Sequence, residues 1–240
     1  MAVTAPQQMN PNTQRSGVHW TRFPADSLSD VDWSDHRQSH RSVMRLFPRH
    51  LDGPRGEKRD AAGILYRLDS IGGTPIVLVQ SQVTPEMVPP MARTMEVAYR
   101  SWTFQPGDQV AFRVAVNAVR RVSTSYTDDT RRTQLDGHDA AQRRRAGQGR
   151  APRRQTALSV DPDDVPAWLV ARLAGVLERV TVIHHFRDVT AAASHKVVVD
   201  AVDAIGVVTD SDAFATLRRT GVGRSKSYGC GLLTAHHLMT

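Results

Sequence analysis

Near its C-terminal end the chain reads GVGRSKSYGCGLL, Gly221 to Leu233, with four glycines, an Arg and a Lys set before an apolar run. Glycine admits positive φ and lets another backbone approach closely. Successive exposed N–H groups in such a loop can cradle a phosphate, with Arg224 and Lys226 adding charge. A nucleotide-binding P-loop needs a strand before the glycines and Lys-Ser/Thr opening a helix after them. Here the pattern predicts a helix first and a strand afterwards, which excludes that motif. Two readings stay open on the residues alone: an anion cradle from Gly221, Gly223, Arg224, Lys226, Ser227 and Gly229, or a long glycine-rich turn.

Ten histidines offer groups that could move protons near neutral pH. His36 and His40 stand at helical spacing, which can be read as a zinc pair. No third ligand lies nearby and the Glu of His-Glu-x-x-His is absent, so no metal is expected. The pairs His184–His185 and His236–His237 fall at or near strand ends, with one ring of each pair expected to face solvent. Tyr228 reads equally as a base-stacking or a packing residue. Cys230 is the only cysteine, which excludes an intramolecular disulfide and fits a reducing compartment. With no histidine adjacent in sequence, it reads as a small packed residue rather than a nucleophile.

The formal charge is +7, and 28 of the 31 basic residues are Arg. Ala118 to Arg154 holds ten Arg against four Asp, so a net +6 sits in one segment. Concentrated cation points to an anionic partner such as nucleic acid or an acidic membrane surface. This stretch has little hydrophobic periodicity and reads as a flexible loop that orders on RNA. Aromatic residues make up 6 %, which argues against a binding face built on stacked rings. No apolar stretch approaches the roughly 20 residues that span a bilayer. Residues 1–16 are polar, lack the apolar core of a signal peptide and read as a disordered extension.

Periodicity supplies the elements that would position these groups. Val18–Phe23 reads as a strand, and a helix capped by Ser34 or a nearby Asp runs to about Phe47, before Pro48. GPRGEKRD reads as a loop. AGILYRLDS and TPIVLVQSQ are strands joined through IGG, TPEMVPPMA holds a weak helical turn, and MEVAYRSWTF is a strand. In the second half DQVAFRVAVNAVRRV reads as one strand, and DPDDVPAWLVARLAGVLERV as a helix with Leu169, Leu173, Val176 and Leu177 on one face. TVIHHF and HKVVVDAVDAIGVVT are strands, DSDAFATLRRTG is a helix stopped by Gly221, and GLLTAHHL is the last strand. The order β-α-β-β-α-β twice over predicts an α+β fold of two tandem ferredoxin-like domains. Their boundaries fall at 17–104 and 105–240, the second carrying an Arg-rich insertion at 123–155 and the glycine loop at 221–231.

Four stretches together carry a resemblance: GVGRSKSYGCGLL, HRSVMRLFP, AGILYRLDS with PIVLVQSQ, and VAFRVAVNAVRR. In these, and in element order from Val18 to Leu238, the chain resembles the CasE family, the repeat-cleaving endoribonucleases of type I-E CRISPR systems. The resemblance implies binding of a CRISPR repeat stem-loop and cleavage at the 3′ base of the stem without metal or cofactor. The ribose 2′-hydroxyl would attack the adjacent phosphorus, leaving a 2′,3′-cyclic phosphate and a 5′-hydroxyl. It also implies that the protein stays on its product as a Cascade subunit, and the single cysteine with no apolar span or signal peptide sets the expectation that it is cytoplasmic. The family's catalytic histidine falls on His40, which the residues permit, since His40 shares a helix face with Met44 and Phe47. A Tyr often found three residues earlier is here Arg37, which cannot serve as a base but can stabilise a phosphorane. Arg120, Arg121, Arg153 and Arg154 flank the basic segment and are the expected contacts to the stem. Two alternatives stand beside this reading: a non-catalytic hairpin-binding subunit of the same complex, and a general DNA-binding module.

Overall fold

The computed structural model describes residues 17–54, 57–86, 93–123, 155–192 and 195–238. The described residues of Met1–Ala118 and Pro162–Thr240 form one compact unit, and those of Val119–Asp161 form another. The N-terminal stretch 1–16, most of the Arg-rich stretch, and residues 87–92 of the weak helical turn lie outside the described residues.

Alternation of apolar residues makes β1 (Val18–Pro24), β2 (Leu65–Ile71), β3 (Thr74–Ser81) and β4 (Glu96–Arg100). They pair antiparallel in the order β2-β3-β1-β4. Between β1 and β2 runs α1 (His36–Met44), started by Asp35, whose Oδ1 accepts the N–H groups of Arg37 at 2.8 Å and Gln38 at 3.3 Å. Phe23, Val43, Leu46, Phe47, Ile64, Val77 and Val79 form the core between α1 and the sheet. The helix ends at Met44, short of the expected Phe47. Leu46 N–H bonds Val43 O and Phe47 N–H bonds Met44 O, tightening the last turn before Pro48. GPRGEKRD is not all loop: Lys58–Ala61 forms a helical turn, α2, through the bonds Ala61 N–H to Glu57 O and Ala62 N–H to Lys58 O. Lys, Arg and Ala are good helix formers, and their preference wins locally over the Pro and Gly before them.

The second half gives β5 (Gln109–Val116), α3 (Val165–Leu173), β8 (Leu177–Ala192), β9 (His195–Val208), α4 (Ser211–Thr220) and β10 (Leu233–His237). The sheet order β10-β5-β9-β8 repeats the antiparallel topology of the first half, so both halves are ferredoxin-like. Three boundaries differ from expectation. The strand starting at Asp108 stops at Val116, and β6 (Val119–Ser123) pairs instead with β7 (Gln155–Ser159) as a separate ribbon. The second helix ends at Leu173, because Gly175 adopts φ 81° and turns the chain into β8. Leu177 is therefore a strand residue, although it shares the core with Leu169 and Leu173. TVIHHF is only the middle of β8, which bulges between Glu178 and Thr181 and between Val182 and His184. Among the described residues no helix is long and apolar enough to cross a membrane.

The edge strands of the two sheets, β2 and β10, meet across a buried guanidinium. Arg67 is 3 % exposed. Its Nη1 donates to Arg113 O at 3.0 Å and Leu232 O at 3.1 Å, and its Nη2 to Thr234 Oγ1 at 3.2 Å. Asp69 closes a two-point ion pair with it at 2.7 and 2.8 Å. Gln80 adds a second buried tie, donating from Nε2 to Arg218 O at 2.9 Å. Arg67→Met would strip the Asp69 carboxylate of its two-point partner, leaving only Arg113 Nη1 at 4.0 Å, and would take a donor from Leu232 O and Thr234 Oγ1. Breaking a buried charge pair in this way costs about 3–5 kcal/mol, and the expected result is a matching fall in the urea midpoint with little change in slope.

Candidate functional site

The glycine loop is built outward from a neck. α4 is stopped by Gly221, at φ 82°, whose N–H reaches Leu217 O at 2.7 Å. Val222 N–H then bonds Gly231 O at 2.9 Å, and Gly231 N–H bonds Ala115 O of β5 at 2.6 Å. Between these ends the chain passes Gly223 at φ 76° and Ser225 at φ 58°, makes a 3-10 turn at Lys226–Tyr228, and leaves through Gly229 at φ 81°. The Ser225 hydroxyl bonds Asn117 Oδ1 at 3.3 Å. Three successive residues of β2 support the loop. A Cβ on Gly221 would stand 3.0 Å from a Leu65 methyl and 3.0 Å from Gly231 O. Tyr66 donates its hydroxyl to Ser227 O at 3.1 Å, and Arg67 holds Leu232 O. The loop is thus a fixed frame as well as a turn, with Arg224 exposed and Lys226 and Ser227 half-buried along it.

The first helix meets this frame. His36, 7 % exposed, lies with its ring centroid 5.6 Å from that of Tyr228. One turn further on, His40 is half-buried in a groove of about 800 Å³ that it lines with Arg41, Met44 and Arg45. Its Nδ1 is buried without a hydrogen-bond partner, which leaves Nε2 as the nitrogen open to solvent. Burial, assisted by the Arg59 guanidinium, holds the imidazole below its usual value of 6.5. Lys226 is likewise lowered, first by burial and then by Arg59 and Arg172, against a raising effect from Asp60. Arg59 therefore acts on both His40 and Lys226, groups 186 positions apart in sequence but in one electrostatic neighbourhood. Its own place is fixed by an ion pair to Asp60 and a bond from Nη1 to Ile64 O at 2.7 Å.

Arg37 is exposed near the start of α1. Arg120 and Arg121 are exposed on the β6–β7 ribbon, while Arg153 and Arg154 lie outside the described residues. Cys230 is fully buried, and burial pushes its thiol up to about 12, which suits packing and not attack. Of the His184–His185 pair one ring is exposed, and His185 Nε2 lies 2.8 Å from the buried Asp200 carboxylate. His236 and His237 are both exposed, contrary to the one-in, one-out expectation. They sit at the open end of an edge strand, where His237 covers Phe104 at 4.6 Å between ring centroids. Among the described residues no group of three or more His, Cys, Asp or Glu side chains could hold a metal ion. Sequence reasoning missed Arg59, Tyr66 and Asn117. The first lay in an apparent loop, and the other two carry no spacing signal because their partners are more than 100 residues away.

Two ferredoxin-like halves, with a glycine-rich loop between the last helix and the last strand, define the class: a tandem ferredoxin-like protein. The chain belongs to the family described as CRISPR associated protein, whose profile matches residues 8–236. No curated protein sequence matches it. Among solved structures, Cas6e from Escherichia coli K-12 is similar at 20 % identity and TM-score 0.59, over 92 % of this chain and 100 % of that one. Cse3 from Thermus thermophilus, bound to an RNA representing a pre-cleavage complex, is similar at 20 % identity and TM-score 0.59, over 91 % and 98 %. A CRISPR endoribonuclease Cse3 bound to 19 nt RNA reaches TM-score 0.63 at 19 % identity, over 92 % and 98 %. At such identities the likeness establishes the fold.

Gly221→Ala tests the frame. The added methyl meets backbone at a φ that L-residues rarely adopt, and the expected loss is about 1–3 kcal/mol. Gly72→Ala at the β2–β3 turn, where a Cβ meets nothing within 4 Å, bears only the backbone strain and is the milder control in thermal unfolding.

Proposed function

We propose that the chain is a metal-independent endoribonuclease of the CasE type. It binds the stem-loop of CRISPR repeat RNA and cuts at the 3′ base of the stem, leaving 2′,3′-cyclic phosphate and 5′-hydroxyl ends. It then stays on the product as a subunit of the cytoplasmic Cascade complex. One observation carries the reading: the helix that bears His40 meets the cationic glycine loop of the second half, the His36 ring one turn before it lying 5.6 Å from that of Tyr228. The similar Cse3 structures hold RNA, and a CRISPR RNA-guided surveillance complex contains a chain of this fold at TM-score 0.56.

The reaction needs a group to remove the 2′-hydroxyl proton, charge to stabilise the phosphorane and a proton for the leaving 5′ oxygen. His40, neutral at pH 7 because its value lies below 6.5, takes the first role through Nε2. Arg224, Lys226 and the loop around Gly221, Gly223, Ser227 and Gly229 face the phosphate, and Arg37 adds charge one turn before His40. Lys226 gives up a proton more readily than a free lysine, which suits it to protonate the leaving oxygen. Arg120, Arg121, Arg153 and Arg154 hold the stem, and the first two stand on a narrow ribbon whose guanidinium groups can reach what a helix cannot.

Incubation of purified protein with labelled repeat RNA in EDTA is the direct test. Cleavage should persist, and His40→Ala should slow the single-turnover rate at least about 100-fold while affinity stays within a few-fold. Binding without cleavage by the unmodified protein would instead establish the non-catalytic reading. A base that is neutral above its lowered value predicts a rate that rises with pH through the region below 6.5 as His40 loses its proton, and falls again only in the alkaline range where Lys226, itself lowered from 10.5, loses the proton it would donate. An acid role for His40 would give the opposite slope. Neutralising Arg153 and Arg154 together should weaken hairpin binding and flatten its logarithmic salt dependence by about 1–2; an unchanged slope removes them from the interface.

A further inference from the structure

Beside the glycine loop, between the two sheets, lies a cleft of about 260 Å³. Four of the chain's six Phe, four Trp and four Tyr gather there: Trp33, Tyr66, Phe186 and Tyr228, with His36 as a fifth ring. The low aromatic content therefore conceals a local concentration, contrary to what composition suggests. Phe186 is 61 % exposed although it stands within a paired strand, opposite only the small Ala201. Asp188, two residues along and so on the same face of β8, is exposed at the lining.

The charge pattern selects the occupant. A carboxylate beside the rings repels phosphate and accepts hydrogen bonds from N–H donors. Arg67, also in the lining, spends its donors on Asp69, Arg113 O, Leu232 O and Thr234 and has little left for an incoming anion. Cationic groups for a backbone lie instead on the adjoining loop, at Arg224 and Lys226. The volume is below the roughly 300 Å³ at which pockets for drug-sized ligands begin, and suits one heterocycle. We propose that this cleft takes a single unstacked nucleobase of the bound RNA. Its ring lies against Phe186 and its exocyclic amino group donates to Asp188, while the phosphates on either side stay at the loop. The proposal rests on the RNA-binding reading above and adds a specificity site to it.

An abasic scan of the nucleotides around the cut site, measured as affinity with full-length protein, tests this. One position should lose about tenfold in affinity when its base is removed, within the range of a base stacked on an aromatic side chain. Phe186→Ala should lose about the same on intact RNA and nothing further on RNA abasic at that position. Phe186→Leu keeps an apolar side chain without a ring and should behave as Phe186→Ala, which separates stacking from packing. Asp188→Asn, which both donates and accepts, should erase a preference for an amino-bearing base over uracil at that position. If no position shows the effect, or if the losses from Phe186→Ala and the abasic site multiply, the base cleft is overturned. Unmodified protein that binds no repeat RNA overturns the RNA reading itself, a result distinct from binding without a stacked base.

Discussion

One buried guanidinium sets the relation between the two sheets. Arg67 can leave water only because Asp69 and three acceptors of the second half meet its donors, and those acceptors sit at Arg113, Leu232 and Thr234 on strands β5 and β10 and just before β10. Burial of an unpaired charge is prohibitive, so the edges of β2 and β10 are held in one register with respect to each other. That register carries Leu65 against Gly221 and Tyr66 against Ser227, and with them the loop. The chemistry proposed at the loop tip therefore depends on a residue whose own donors are all spent within the protein.

The repeated strand and helix order was legible because each element has a strong period. Val110, Phe112, Val114 and Val116 alternate, and all four are buried. Boundaries failed where one residue overrides a period. Gly175 ends a helix whose apolar pattern runs on into Leu177, and the strand at Asp108 stops at Val116 although apolar residues recur beyond it. Arg67 was the deeper omission. An Arg in a strand reads as a solvent-facing residue, and nothing local reveals that its partners are 46 and 165 positions away. The loop and α1 are visible as motifs, whereas Arg59, which lowers a group on each, stands in a segment whose Gly and Pro read as a loop.

Charge in this protein is divided between two uses. The Arg-rich stretch carries the excess that draws an anion from a distance. Near α1 and the loop, Arg37, Arg41 and Arg224 are exposed while His40 and Lys226 are half-buried, and Arg59 lowers both of these further. Partial burial thus does for the site what added charge alone would not, making an imidazole harder to protonate and a lysine easier to deprotonate. The same division recurs in the aromatic cleft, where a carboxylate and a saturated guanidinium leave no cation for a phosphate.

The bonds from Val222 to Gly231 and from Gly231 to Ala115 pinch off the segment between them. Residues beyond the pinch pair with neither sheet's ladder and are tied down at separate points instead, Ser225 by Asn117 and Ser227 by Tyr66, which leaves the Arg224 side chain facing water. In such a closed eyelet an exposed side chain such as Arg224 can be exchanged without disturbing either strand ladder, whereas the glycines at the neck cannot.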